Sequence, residues 1–163
     1  MHDLFNPAGL HVLEDRDGAV AYGWIAPRVF YSRFVGSLSA ELGNGFVQRL
    51  GGLISDVPLL AYFADASALA QYDLQARTGF QRLVLAEHRK FVSMTFLAWS
   101  GGIGPQARNF ATLLAGAINL LTDPAEFDLA LLNVAPLRTR GPLPAEPVWQ
   151  VPLSGERLGR VSR

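Results

Sequence analysis

Cysteine is missing from the chain. With it go disulfides, thiolate nucleophiles and cysteine-ligated zinc, a pattern that fits a reducing compartment. Charge is scarce as well: 17% of the residues are charged, and the formal net charge is zero. Nucleic-acid binding normally needs a basic footprint, which a balanced chain does not supply. No apolar run approaches the roughly 20 residues of a membrane span. The opening residues, MHDLFNPAGLHVLED, have neither a basic stretch nor a sustained apolar one. No secretory signal is expected there, and the chain reads as cytoplasmic. Histidine is sparse and scattered, at His2, His11 and His88, with no HExxH run and no metal-ligand cluster. No metal and no cofactor are expected.

What is present is a globular composition, half of it hydrophobic, across 163 residues. The sequence predicts one α/β domain over residues 1–135 and a tail over 136–163. The tail carries five prolines and five arginines without periodicity, and is read as a mobile linker. Its Pro144-Ala145-Glu146-Pro147 is formally a P-x-x-P match, of a kind frequent by chance.

Leu10 to Glu14 and Ala19 to Ile25 flank Asp15-Arg16-Asp17-Gly18, whose Asp-Gly pair is a strong hairpin signal. After a turn at Ala26-Pro27, Val29 to Val35 alternates as a third strand, so the first third is an antiparallel meander. Ser39 is placed to cap a helix whose apolar face is Leu42, Phe46, Leu50, Leu53 and Ile54. Gly43, Gly45, Gly51 and Gly52 should each weaken that helix by about 1 kcal/mol relative to alanine. Pro58 to Phe63 is short and continuously apolar, which suits a strand covered on both faces.

The segment Ala64 to Thr78, ADASALAQYDLQART, then reads as the loop leaving this strand's carboxyl end, where ligands and partners dock in open α/β sheets. A helix follows from near Asp73 to about Lys90, then a strand over 91–99. A short helix is expected from Pro105 through Leu114, then a strand over 118–121. Asp123-Pro124-Ala125-Glu126 opens a final helix as a capping box. The expected architecture is a mixed sheet with an antiparallel N-terminal meander followed by βαβαβα, with four helices in all and right-handed parallel crossovers.

Two stretches carry a family resemblance. Arg33-Phe34-Val35-Gly36-Ser37-Leu38 ahead of an amphipathic helix resembles the strand and Gly-x-Leu turn of a STAS domain, the fold of sulfate transporters and bacterial anti-sigma factor antagonists. Asp65-Ala66-Ser67, with Asp73 eight residues after Asp65, is similar to that family's Asp-x-Ser strand end and the aspartate before its regulatory helix. The resemblance spans roughly residues 10–135. It implies a non-enzymatic docking module like the divergent stand-alone bacterial forms. The family's switch is a phosphorylatable serine directly after the second aspartate; here that position is Leu74, followed by Gln75 and Ala76.

The expected function is regulatory or scaffolding, with a protein partner bound by Asp65, Ser67, Tyr72, Asp73, Leu74, Gln75 and Arg77. A homodimer is compatible with it. The alternative is a small-molecule binder, holding an anionic ligand or acyl chain between sheet and helix or at the Gly101–Pro105 loop. An apolar cavity would favour the ligand, and a filled core with an exposed patch the partner.

Chemistry beyond binding finds little support. Asp65 and Asp73 form a carboxylate pair, but satisfying loop amides and capping a helix are routine tasks for aspartate. Ser67 has no nearby histidine and no Gly-x-Ser-x-Gly elbow, so no catalytic residue is assigned. Gly102-Ile103-Gly104-Pro105-Gln106-Ala107 formally matches G-x-G-x-x-A, with Asp123 about 20 residues on, as in dinucleotide sites. Only one short strand follows it, so the usual six-stranded sheet cannot be completed. Gly102 and Gly104 remain candidates for anion binding at a helix N-terminus. Trp24, Tyr62, Tyr72 and Trp99 read as core or rim aromatics.

Overall fold

The computed structural model describes residues 10–98 and 118–135. Six strands form one sheet in sequence order: β1 (His11–Glu14), β2 (Gly18–Ala26), β3 (Val29–Leu38), β4 (Leu60–Tyr72), β5 (Phe91–Ala98) and β6 (Ile118–Leu121). The first two pairings are antiparallel and the remaining three parallel, as the alternation of strands and helices predicts. Three α-helices are described, α1 (Ala40–Ile54), α2 (Leu74–Ala86) and α3 (Pro124–Val134), with a 3-10 turn at His88–Lys90. The count of four expected helices is therefore not met; the one expected from Pro105 through Leu114 lies outside the described residues, as do the 136–163 segment, Trp99, Gly102 and Gly104.

Local chemistry sets the boundaries. Asp15 Oδ1 accepts from Asp17 N and Gly18 N, both at 2.9 Å, which closes the β1–β2 turn. Its other oxygen accepts from Ser39 Oγ at 2.6 Å, while Ser39 Oγ accepts from Leu42 N at 3.0 Å. One aspartate thus ties the first hairpin to the start of α1. Gly36 has φ +73°, a conformation that L side chains rarely adopt, and a Cβ there would lie 2.5 Å from the Asp17 carbonyl oxygen. That explains the glycine of the Gly-x-Leu turn.

Alternation along β4 divides the interior in two. Leu60, Tyr62 and Ala64 join Phe30, Phe34 and Met94 beneath α1 and α2, against Phe46, Leu50, Ile54 and Val84. Ala61 and Phe63 point the other way, with Val29, Tyr31 and Leu97, and meet Phe127 and Leu131 of α3. The strand is covered on both faces, which is why it reads as an unbroken apolar run. Tyr62 places its ring among Phe30, Phe80, Phe91 and Phe96, and its hydroxyl pairs with Ser32 Oγ at 2.7 Å.

Candidate functional site

The main departure from the sequence expectation lies at the centre of the candidate site. Residues 64–72 are not a loop; they continue β4, which is 13 residues long and ends at Tyr72. Low apolarity after Phe63 marks the end of double coverage and not the end of the strand. Pairing with β3 continues to Leu38↔Tyr72, with register shifts between Arg33 and Val35 and between Gly36 and Ser37. Such bulges let a strand persist while its side chains are re-aimed. Among the described residues, β5 pairs with β4 as far as Ala66↔Ala98, and β4 continues to the carboxyl end of the parallel strands.

The first shift is where the Asp-x-Ser motif sits. Asp65 Oδ1 accepts from Ser67 N at 2.9 Å and from Ser67 Oγ at 2.6 Å, and Asp65 Oδ2 lies 3.7 Å from Arg33 Nη1. Asp65 is 5% exposed. It is therefore removed from the expected contact surface: its carboxylate is committed to an internal ion pair and to the bulge. The functional reading as a carboxylate pair with Asp73 also fails, since Asp73 is exposed and engaged as a helix cap.

Beyond the bulge Tyr72, Asp73, Leu74, Gln75 and Arg77 follow one another across the junction of β4 and α2, whereas Ser67 stays with Asp65 at the bulge, five extended residues before Tyr72. Asp73 N donates to Leu38 O at 2.8 Å, ending the strand, and Asp73 Oδ1 accepts from Gln75 N at 2.7 Å, starting α2. Leu74 occupies the first helical position with 62% of its surface exposed. Asp73 and Gln75 are exposed on either side of it, while Ser67, Tyr72 and Arg77 are half-buried. Gln71 Nε2 donates to Ser37 Oγ at 3.0 Å, and Thr78 Oγ1 to Leu74 O at 2.8 Å. The first turn of α2 is thus pinned by its cap and by β3, and it presents a leucine to solvent.

Sequence reasoning missed a polar cluster on the α3 face. Tyr31 and Arg33 of β3, Asp65 of β4 and Asp128 of α3 lie near one another there. Burial pushes the Tyr31 hydroxyl well above its ordinary pKa, with the Asp65 charge adding to it. Burial also raises the Asp128 carboxyl, reinforced by repulsion from Asp65 and partly offset by Arg33. The available signal was an arginine in register with an aspartate on a neighbouring parallel strand, Arg33↔Asp65, which no single stretch of sequence displays. Among the described residues no group of three or more His, Asp or Glu side chains is placed to hold a metal, and no helix is long and apolar enough to cross a membrane.

This architecture has solved counterparts. An uncharacterized protein of the DUF3478 family with a SpoIIAA-like fold, from Shewanella loihica PV-4, matches with a TM-score of 0.58 and 17% identity, over 73% of this chain and 98% of that one. The chain has a SpoIIAA-like, STAS-type fold. The anti-sigma factor antagonist SpoIIAA, in its unphosphorylated form, matches with a TM-score of 0.51 and 12% identity, over 70% of this chain and 97% of that one. No protein-family model and no curated protein matches the chain. At these identities the SpoIIAA-like likeness concerns the fold.

Proposed function

We propose that the chain is a non-enzymatic regulatory or scaffolding domain that docks a protein partner on the end of β4 and the first turn of α2. One observation carries the reading: Leu74 is held on a capped, rigid helix start and is largely exposed. A leucine so placed contributes nothing to the core, whereas full burial by a partner would contribute about 1.5–3 kcal/mol. Tyr72, Asp73, Gln75 and Arg77 flank it in the chain as the polar margin of the contact, with Ser67 further back along β4 at its outer end. The structural counterpart named as an anti-sigma factor antagonist supports a protein partner. Because leucine cannot be phosphorylated, docking is constitutive or is controlled through the partner. The domain works in the cytoplasm, and self-association to a homodimer is compatible with the same surface.

The test compares wild type, Leu74→Ala and Leu74→Asp in pull-downs from the native cell, with folding followed by circular dichroism. Aspartate should weaken capture strongly and alanine moderately, with both variants folded. Equal capture by all three proteins would remove α2 from the docking face.

A further inference from the structure

Two helices on opposite faces of the sheet leave apolar side chains uncovered. On α2 the face turned from the sheet carries Leu74, Thr78, Arg82 and Leu85, spaced four, four and three residues apart as one stripe requires, and Leu85 is 51% exposed. On α3 the outward face carries Glu126, Leu129 and Val134, with Leu129 59% exposed and Val134 41% exposed.

The two stripes differ in charge. α2 holds two arginines, Arg77 and Arg82, and no carboxylate, whereas α3 holds two carboxylates, Glu126 and Asp128, and no basic residue. Arg82 and Glu126 are both exposed, and among the described residues neither forms an ion pair. Two copies of α2 set face to face would oppose like charges, and so would two copies of α3. α2 against α3 opposes unlike ones, and the spacing fits. Leu74 precedes Arg82 by eight residues and Glu126 precedes Val134 by eight, about 12 Å along either helix axis. Laid antiparallel, Val134 meets Leu74 and Glu126 meets Arg82. Leu129 then falls opposite Gly79, which lines a groove with Leu74, Thr78 and Arg82 and has no side chain to oppose it. Because α2 packs on one apolar cluster and α3 on the cluster across the sheet, the two stripes cannot meet within one molecule.

We propose that α3 of a second copy docks on α2, so that the chain associates head to tail. The proposal rests on the reading of Leu74 as a docking contact and names one occupant of that surface. A head-to-tail contact is not closed by a single pairing: each added copy offers a free α2 and a free α3, and assembly continues to a ring or an open chain. One helix against another is a small contact, so association is weak and depends on concentration. A copy seated on α2 covers Leu74 and excludes any other partner from it.

Sedimentation velocity of the full chain, from micromolar to millimolar concentration, tests the proposal. The mean mass should rise with concentration at low salt and fall back toward the monomer at about 0.5 M salt, where exposed charges are screened. Leu74→Asp removes the α2 face and Leu129→Asp the α3 face, both at exposed positions, so each variant should fold and stay monomeric alone. Mixed, the two should form a one-to-one dimer and nothing larger, since each keeps the face the other has lost. Arg82→Glu should weaken assembly of the otherwise unchanged chain severalfold, which decides the charge argument even if Leu129→Asp does not fold. A monomer at every concentration, an oligomer that survives Leu129→Asp in a folded protein, a mixture that stays monomeric, or indifference to Arg82→Glu would each overturn the proposal. Capture of a different protein through Leu74 by a chain that stays monomeric would sustain the docking reading and end this one.

Discussion

At the scale of single residues, the backbone of Arg28 stands out. It follows Pro27 in the β2–β3 corner with φ 61°, the only non-glycine residue with positive φ among the described residues. Its side chain is exposed, so nothing in the packing requires arginine. Its carbonyl is what matters, accepting from Ala61 N at 2.8 Å and tying the corner to the start of β4. Left-handed backbone costs an ordinary L-residue about 1–2 kcal/mol, and glycine returns about half of that gain as unfolded-state entropy. Arg28→Gly keeps the carbonyl and is expected to raise stability by about 0.5–1 kcal/mol in urea unfolding. A decrease would show that the arginine side chain contributes something the backbone geometry does not reveal. Asp65 teaches the converse lesson. Its sequence neighbours suggested a surface loop, but burial with Arg33 makes it part of the interior, where removing one partner is far more costly than at a surface.

At the scale of elements, α1 and α2 approach each other through a glycine and an alanine. A Cβ on Gly43 would lie 2.2 Å from Ala76 Cβ and 3.0 Å from Ala76 Cα, whereas a Cβ on Gly45 would meet nothing within 4 Å. The uniform penalty expected from helix propensity therefore splits by position. Gly45→Ala should stabilise by about 1 kcal/mol, the propensity difference. Gly43→Ala should destabilise by about 1–3 kcal/mol, because the helices must separate against a packed sheet. Equal shifts in the two denaturation midpoints would refute the close-approach argument. The docking of α3 is expected to depend on pH. Asp128 has its pKa raised in the folded protein by burial and by Asp65. The native state then holds the proton more tightly than the unfolded chain, so stability falls as pH rises from the ordinary aspartate range through the raised pKa. Asp128→Asn should remove that decline, matching the wild type at acid pH and exceeding it at neutral pH. Parallel stability curves for the two proteins across this window would contradict the assignment.

At the scale of the whole molecule, a single sheet separates two apolar clusters. Ile54 belongs to the one beneath α1 and α2, and Ile25 to the one beneath α3. Ile54→Val and Ile25→Val should each cost about 0.5–1.5 kcal/mol. The double variant should cost their sum to within about 0.5 kcal/mol, since the two sites share no cluster. A larger deviation would mean that the sheet transmits strain between its faces. Most of the architecture behind this division was legible in the sequence. Strand and helix periodicities, the caps at Ser39, Asp73 and Asp123, and the Asp-Gly turn are local signals, because each reflects contacts within a few residues. The order of elements followed from them, and the parallel pairing from the alternation of strands with helices. Tertiary structure alone decided where β4 stops, since strand pairing with β3 holds residues 64–72 extended after their apolar pattern has ended. It alone placed Asp65 inside, because burial depends on what packs against each face of the sheet, whereas the exposure of Leu74 on the first helical turn was already expected from the sequence. The cleft between the sheet and the α1–α2 pair has the same origin: Phe34, Phe46, Phe80 and Phe96, which line it, come from β3, α1, α2 and β5, and only the crossovers between those elements bring the four rings around one space.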